Sequence, residues 1–371
     1  MAAWLIADLS IGLAAAATRP VLPVLTWWEE HIDHQPILAK PMGRVSWPNH
    51  GEVEDLLWYA PQRLLLASRR DAVRSLTSVD LTNHLVHAVP DCRSSSAGCL
   101  VLARTPGPVS RIQLVSTTGT AAQACDVDSA VLGDTANIMG LANDTVLAAE
   151  IQPSVSAAMQ QGLIYTLFGP KGQPLLKGHL PRQLGVSLAS VRGIRRSADG
   201  YLWAVPSFKW APGTPEQWEG PTEVSIVRMA AGSTTLVRSI SRSDLPVPPV
   251  MGFLSSNSLD SPTWLPGSTD ILVFRRRWCV YTSGANAEML SVQDLLALPL
   301  RGQPTVLDMV AEYQGPRGLN LSWEADEQGA IQESYRNEAL DLSDLVPVPA
   351  LVDGGIAYKR HGRIIYMRVP R

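Results

Sequence analysis

Few side chains in this chain stand at spacings that chemistry requires. Cys92 and Cys99 are separated only by Arg93-Ser94-Ser95-Ser96-Ala97-Gly98. A loop that short and small can close into a local disulfide, which fits an oxidising compartment. Cys125 and Cys279 are far apart in sequence and read either as paired or as buried thiols. No C-x-x-C is present, and none of the four cysteines has a histidine at zinc-site spacing. His31, Asp33 and His34 are close enough for a metal cluster, but they follow Trp27-Trp28-Glu29-Glu30 and read as a solvated loop or helix end. His84 and His87 would share a helix face. In the stretch LTNHLVHAV, which reads as strand, the same spacing sends them to opposite sides.

The larger catalytic signatures are missing. There is no G-x-S-x-G turn to present a serine nucleophile. Neither the G-x-x-x-x-G-K-[ST] phosphate loop nor G-x-G-x-x-G occurs, and repeated calcium-loop signatures are absent too. These absences argue against an NTPase, a kinase or a dinucleotide enzyme. No catalytic, cofactor-binding or metal-ligating residue is assigned, and no cofactor is expected. The most distinctive segment is instead SFKWAPGTPEQWEGPT, Ser207 to Thr222. There Trp210 and Trp218 flank Gly213, Pro212 and Pro215, and aromatic anchors on a stiff loop are common at interfaces. The competing reading folds both tryptophans back onto their own sheet.

Composition narrows the partners. Of 371 residues, 46% are hydrophobic and 18% charged, enough for a large core. A formal net charge of -3 gives no bulk attraction to nucleic acid or to anionic membrane. Arg275-Arg276-Arg277 is a short basic run, and the run from Lys359 to Arg371 reads as a solvated tail. The 28 glycines and 28 prolines are spread along the chain. That spread suits many short strands joined by turns and opposes long helices. Eleven tryptophans against four phenylalanines suit interfaces between packed sheets, where the indole N–H can find a partner.

The elements that must position any site recur. An apolar or tryptophan anchor, a turn and an apolar strand repeat in Leu56–Ser68, Ile138–Glu150, Val191–Val205, Pro262–Phe274 and, more weakly, Leu321–Ser334. Their anchors are Trp58, Leu141, Ile194, Trp264 and Trp323. Each reads as a hairpin, with Asp199-Gly200 and Pro266-Gly267 as the clearest turns. The 83 residues between Trp58 and Leu141 leave room for a further unit, and Gly98 to Ser116 supplies two strands across Pro-Gly-Pro. Adding GLIYTLFG with PLLKGH, and EVSIVRMAAGSTTLVRSI, gives about four strands per unit. That is the blade of a β-propeller, which must stack with others to bury both faces.

These units resemble the Tol-type, WD-like propeller repeats, whose blades carry an apolar-x-Trp-Ser-Pro-Asp-Gly run before an apolar strand. Pro262 to Phe274, with Trp264, Pro266 and Gly267, is the nearest match, and Ser197 to Trp203 follows. The resemblance touches about six segments and implies an all-β fold: a six- or seven-bladed propeller of four-stranded antiparallel sheets. It implies little about function, because the fold hosts many. Ala350 to Val369 reads as two strands joined through Arg360-His361-Gly362-Arg363. Pro20 to Trp27 is the expected N-terminal strand that closes the ring with them. Helix is expected only near the N-terminus and over Val292–Ala297.

Residues 1–19 read as a signal peptide or N-terminal extension, and 20–371 as a single propeller domain closed by its terminal strands. Trp4 to Ala17 has the apolar core and small-residue end of a signal peptide, although Asp8 interrupts it and no Lys or Arg precedes it. At that length it is short for a membrane span. Asn143-Asp144-Thr145 and Asn320-Leu321-Ser322 match the glycosylation sequon. Secretion or a periplasmic location is therefore favoured slightly. The expected function is non-catalytic binding of a protein or a glycan through the loop face. The alternative is a metal-dependent lactonase or esterase with the cation in the central channel, a scheme with which Glu54, Asn143 and Asp199, all near hairpin turns, are compatible without being assigned to it.

Overall fold

The computed structural model describes residues 22–32, 41–46, 52–60, 63–70, 73–80, 86–88, 109–114, 123–128, 137–140, 146–150, 163–168, 174–180, 193–197, 200–207, 221–231, 233–245, 254–265, 271–326, 330–335, 344–351, 355–361 and 363–369. Helix α1 (Pro23–Ile32) and strand β1 (Pro41–Ser46) come first. Then follow β2 (Glu52–Ala60), β3 (Arg63–Arg70), β4 (Val73–Asp80) and β5 (Val86–Ala88), which make one four-stranded sheet. β6 (Val109–Leu114) pairs with β7 (Gln123–Asp128). β8 (Asn137–Gly140), β9 (Val146–Glu150), β10 (Leu163–Phe168) and β11 (Pro174–Leu180) form the next sheet. β12 (Ile194–Ser197), β13 (Gly200–Ser207), β14 (Glu223–Ala230) and β15 (Ser233–Ser241) form another.

The largest sheet has six strands in chain order: β16 (Leu254–Trp264), β17 (Ile271–Tyr281), β18 (Met289–Pro299), β19 (Thr305–Gln314), β20 (Asn320–Ala325) and β21 (Ile331–Tyr335). The last joins β22 (Val348–Leu351), β23 (Gly355–Arg360) and β24 (Arg363–Arg368) to β1 at its edge, in the order β1-β24-β23-β22. Among the described residues every pairing is antiparallel and joins strands consecutive in sequence, except that β1, the first strand, pairs with β24, the last. From β11 onward, sheets that follow one another in the chain touch. β11 meets β14 and β15, β12 and β13 meet β16, β16 meets β22, and β22 meets β2. Consecutive meanders packed in sequence and shut by the terminal strands are the topology of a propeller, whose closure leaves the sheets no long open edge.

All five repeated segments are hairpins. Ala60 pairs with Arg63, Gly140 with Val146, Ser197 with Gly200, Trp264 with Leu272 and Ala325 with Ile331. Gly200 shows why its turn needs glycine. Its φ is +127°, and a Cβ there would sit 2.6 Å from the Met229 carbonyl oxygen.

Two expected elements are different in the structure. Pro20–Trp27 is not the closing strand; Pro41–Ser46 takes that place, with Val45 opposite Ile364. The earlier stretch is helical from Pro23, which fits a first helical turn because the missing N–H would have no partner there. Val292–Ala297 is no helix but the middle of β18. Both faces of β18 are buried, so its apolar run lacks the alternation that marks a half-exposed strand.

The eleven-residue strands β17 and β18 run ~35 Å, at about 3.3 Å per residue. One face of their sheet is covered in two halves. Leu272, Phe274, Leu296 and Leu298 share a core with Leu202, Ala204, Val224 and Ile226 of the preceding sheet. Towards the other end, Trp278, Leu290, Tyr313 and Trp323 receive Val24, Leu25, Trp28 and Ile32 of α1. Trp28 is fully buried, with its ring 5.9 Å from Trp278 and 5.8 Å from Trp323. The Glu288 carboxylate accepts from the Val24 and Leu25 amides at 3.2 Å, filling the role that a capping side chain within the helix would have. Tyr313 donates to Glu288 at 2.9 Å, and burial together with that carboxylate pushes its hydroxyl pKa up.

Candidate functional site

The opposite face of the six-stranded sheet meets the closing sheet, and there the sequence's two basic runs become structural. Ile271, Val273, Leu295, Leu307 and Val310 pack against Ile356, Tyr358, Ile365 and Met367. Continuing along the same face, the apolar contact gives way to a seam of charges. The expectation of a solvated tail fails here: Lys359 and Arg360 are buried in β23, and Ile364 to Met367 are buried in β24. Arg275 and Arg276 are likewise buried in β17. Strand alternation sends Arg275 and Arg277 into the seam and Arg276 to the other face, a division that sequence adjacency hides.

The seam is a continuous chain of polar contacts from β16 to β23. Asp260 accepts from Arg275 Nε at 2.7 Å and lies 2.9 Å from Arg277 Nη2. A register shift in β16 falls beside this carboxylate, where Ser261 has φ +54° and its hydroxyl donates to Asp260 at 2.9 Å. Arg275 Nη1 donates to the Asp344 carbonyl at 2.9 Å. The Asp344 carboxylate accepts from the His361 amide at 3.1 Å and stands 3.3 Å from its Nδ1. His361 Nε2 is 3.6 Å from Glu324. Glu324 lies 3.7 Å from Arg360 Nε, and Arg360 Nη1 reaches both Asp308 oxygens at 2.8 and 2.9 Å. Tyr358 donates its hydroxyl to Asp308, and the Met309 amide does so at 2.8 Å.

Burial raises the Asp308 carboxyl above its ordinary pKa, against the pull of Arg360 and these hydrogen bonds. Burial opposes charge on Arg360 too, but Asp308, Tyr358 and Glu324 outweigh it and raise that pKa. On the other face, Arg276 Nε donates to Asp294 at 2.7 Å and Trp278 Nε1 donates at 2.9 Å. These acids are engaged by guanidinium, phenol and indole groups of neighbouring strands. What the arrangement does is lock sheets in register.

The residues singled out in the sequence fare unevenly. Cys92, Cys99, Trp210 and Trp218 lie outside the described residues, as do Trp4–Ala17, Asp33, His34, His84, Asn143 and Asp199. Glu54 lies in the body of β2, beside a register shift, and not at its turn. His31 sits in the last turn of α1, its Nδ1 2.6 Å from the Trp27 carbonyl oxygen. His87 is in β5. Cys279 is a free thiol 3.7 Å from Ser291 Oγ, and burial pushes its pKa up. Asn320 begins β20, and Ser322 of its sequon is buried and bonded to Ser334 at 2.9 Å. Among the described residues no group of three or more His, Cys, Asp and Glu is placed to hold a metal ion. No helix among them is long and apolar enough to cross a membrane.

The seam itself was missed by sequence reasoning. Its one signal was arginine within apolar strand runs, as in ILVFRRRWCVY.

No family model matches the sequence, and no curated protein matches it. Solved structures align over most of the chain at low similarity. An oligogalacturonate lyase from Vibrio parahaemolyticus aligns with a TM-score of 0.39 at 10% identity, covering 91% of this chain and 99% of that one. A fucose-specific lectin from Aleuria aurantia gives 0.34 at 9%, covering 80% and 97%. A post-proline cleaving enzyme from Rickettsia typhi gives 0.27 at 9%, covering 80% of this chain and 54% of the enzyme. A lyase, a lectin and a peptidase at such scores assign no substrate or activity to this chain, and the Tol-type likeness stays one of repeat pattern.

Proposed function

We propose that this chain is a single propeller domain from residue 20 onward that works by binding, contacting a protein or a glycan partner through the loop Ser207–Thr222. The observation that supports it is the footing of that loop. The Thr222 amide donates to the Ser207 carbonyl at 3.0 Å, drawing the two ends of the insertion together. The buried Ser207 and Ser225 hydroxyls bond each other at 2.9 Å. From outside, the Leu259 amide of β16 donates to the Pro221 carbonyl at 2.7 Å, and the Arg242 amide donates to Thr222 at 3.0 Å. The insertion therefore leaves and re-enters its sheet at a point fixed by two sheets. A rigid base under a variable loop is how closed β folds present recognition surfaces. Trp210 and Trp218 are the proposed anchors, and export with a Cys92–Cys99 disulfide belongs to the same reading.

The test is a glycan array and affinity capture from native extract, each repeated with Trp210→Ala and Trp218→Ala together. Loss of two anchors should weaken a retained partner by roughly a thousandfold where their effects add, given that hot-spot truncations cost about 2 kcal/mol or more each and about 1.4 kcal/mol is tenfold. Unchanged retention by a folded double variant would falsify the loop as the contact. Metal analysis of the same preparation addresses the enzymatic alternative. Stoichiometric divalent cation, with ester or lactone hydrolysis lost on chelation, would replace the binding reading.

A further inference from the structure

The turn between β23 and β24 carries an imidazole held between two carboxylates. His361 Nδ1 lies 3.3 Å from Asp344 Oδ2, and its Nε2 lies 3.6 Å from Glu324 Oε2. The His361 side chain is 14% exposed and that of Asp344 is fully enclosed. Asp344 precedes β22 and Glu324 stands on β20, so the ring bridges the closing sheet and the six-stranded sheet. The backbone holds it there: His361 has φ +48°, and its amide donates to the same Asp344 carboxylate at 3.1 Å. An imidazole donates from both nitrogens only when protonated, and the neutral ring turns a lone pair towards one of the two acids.

The charges around the ring are uneven. Among the described residues, Asp260, Asp308, Glu324 and Asp344 bring four carboxylates to the seam, and Arg275, Arg277 and Arg360 bring three guanidiniums. Asp260 takes both Arg275 and Arg277. Arg360, Tyr358 and the Met309 amide all donate to Asp308, which favours its charged form. Arg360 lies 3.7 Å from Glu324 but 2.8 Å from Asp308. Arg275 reaches the Asp344 carbonyl rather than its carboxylate. Lys359 and Glu312 are buried on β23 and β19, one of each sign, and Arg363 is exposed at the start of β24.

We infer that His361 is protonated in the folded chain at neutral pH and serves as the fourth cation of the seam, a clasp that loosens the closing sheet in mild alkali. Both ring N–H groups then meet an acid, and the four carboxylates are matched by four cations. Partial burial opposes the charge, and two carboxylates at ion-pair distance outweigh it. The sign of the pH dependence follows. The folded chain keeps a proton that the unfolded chain gives up near the ordinary imidazole value of ~6.5. The stabilisation is complete below that value and is lost as pH rises through the folded one. Between the two, the folding equilibrium constant falls by up to about tenfold per pH unit. This inference is independent of any partner at the loop face.

Imidazole nitrogen and carbon chemical shifts of the labelled full chain, followed from about pH 5 to 9, read the titration without reference to stability. His361→Asn identifies the resonance, because asparagine tolerates the positive φ of this turn. His361 should titrate above the ordinary imidazole value, and Glu324→Gln should bring that titration down. Urea unfolding over the same range should show wild type losing stability relative to His361→Asn as pH rises. Hydrogen exchange in β23 and β24, corrected for its intrinsic rate, should rise with pH in wild type and stay level in His361→Asn. An imidazole that titrates at or below the ordinary value, or parallel stability profiles for wild type and His361→Asn, overturns the inference, as does a titration that Glu324→Gln leaves unmoved.

Discussion

At the residue scale, the seam shows how far a charge's meaning depends on its partner. Arg360 is 4% exposed and Asp308 2%. Burying either alone would be prohibitive; together, with Tyr358 and the Met309 amide, they become a tolerable junction. Such a pair adds little net stability compared with apolar residues of the same volume, yet breaking it is costly. Arg360→Ala should therefore destabilise the fold by about 3–5 kcal/mol, because Asp308 is left charged and enclosed. Arg360→Met combined with Asp308→Leu should recover most of that loss. Urea unfolding curves for the single and double variants check both outcomes, and equal destabilisation in the two would mean the ion pair is not what Arg360 supplies.

At the element scale, α1 is held by tertiary contacts more than by its own sequence. Ten residues are too few for a stable isolated helix. Two contacts tie it to the sheet: the buried Trp28 ring on its inner face and the Glu288 cap on its first amides. Glu288→Ala removes an acceptor from Val24, Leu25 and Tyr313 at once. A cost of about 1–3 kcal/mol is expected, the range for leaving buried donors unsatisfied. As α1 loosens, Trp28 and Trp278 should gain water and their emission should shift to the red. Fluorescence spectra matching wild type, with unchanged unfolding, would show that the cap is dispensable.

At the scale of the whole molecule, closure rests on a six-residue edge strand. Among the described residues β1 pairs only with β24, with Arg44 opposite Ile365 and Val45 opposite Ile364. Val45→Pro removes a main-chain donor and introduces a ring into that ladder. It should release β1 and leave β24 as an unpaired edge. Hydrogen exchange should then rise first in Arg363–Arg368 and Gly355–Arg360, while β13 and β14, in a different sheet, stay protected. Exchange rising equally in every sheet would mean that the ring opens as one cooperative unit.

The sequence by itself determined the kind of fold and the places where the chain turns back. Alternation, regularly placed glycine and proline, and repeated anchors are local properties, and the hairpins at Trp58, Ile194, Trp264 and Trp323 follow from them. Elements whose identity is set from outside were not legible in this way. Pro23–Ile32 becomes a helix because a tryptophan-lined face and a distant carboxylate receive it. The stretch Val292–Ala297 is a strand because both of its faces are covered by other sheets. Which strand closes the ring depends on a pairing across more than three hundred residues. The ionic seam is the clearest case. A short basic tripeptide, and a basic run that reads as a solvated tail, gain their meaning only when the folded sheets bring Asp260, Asp308, Glu324 and Asp344 against them. Local pattern encodes periodicity; the partners that make a charge buried, or a helix stable, come from parts of the chain that only the tertiary structure brings together.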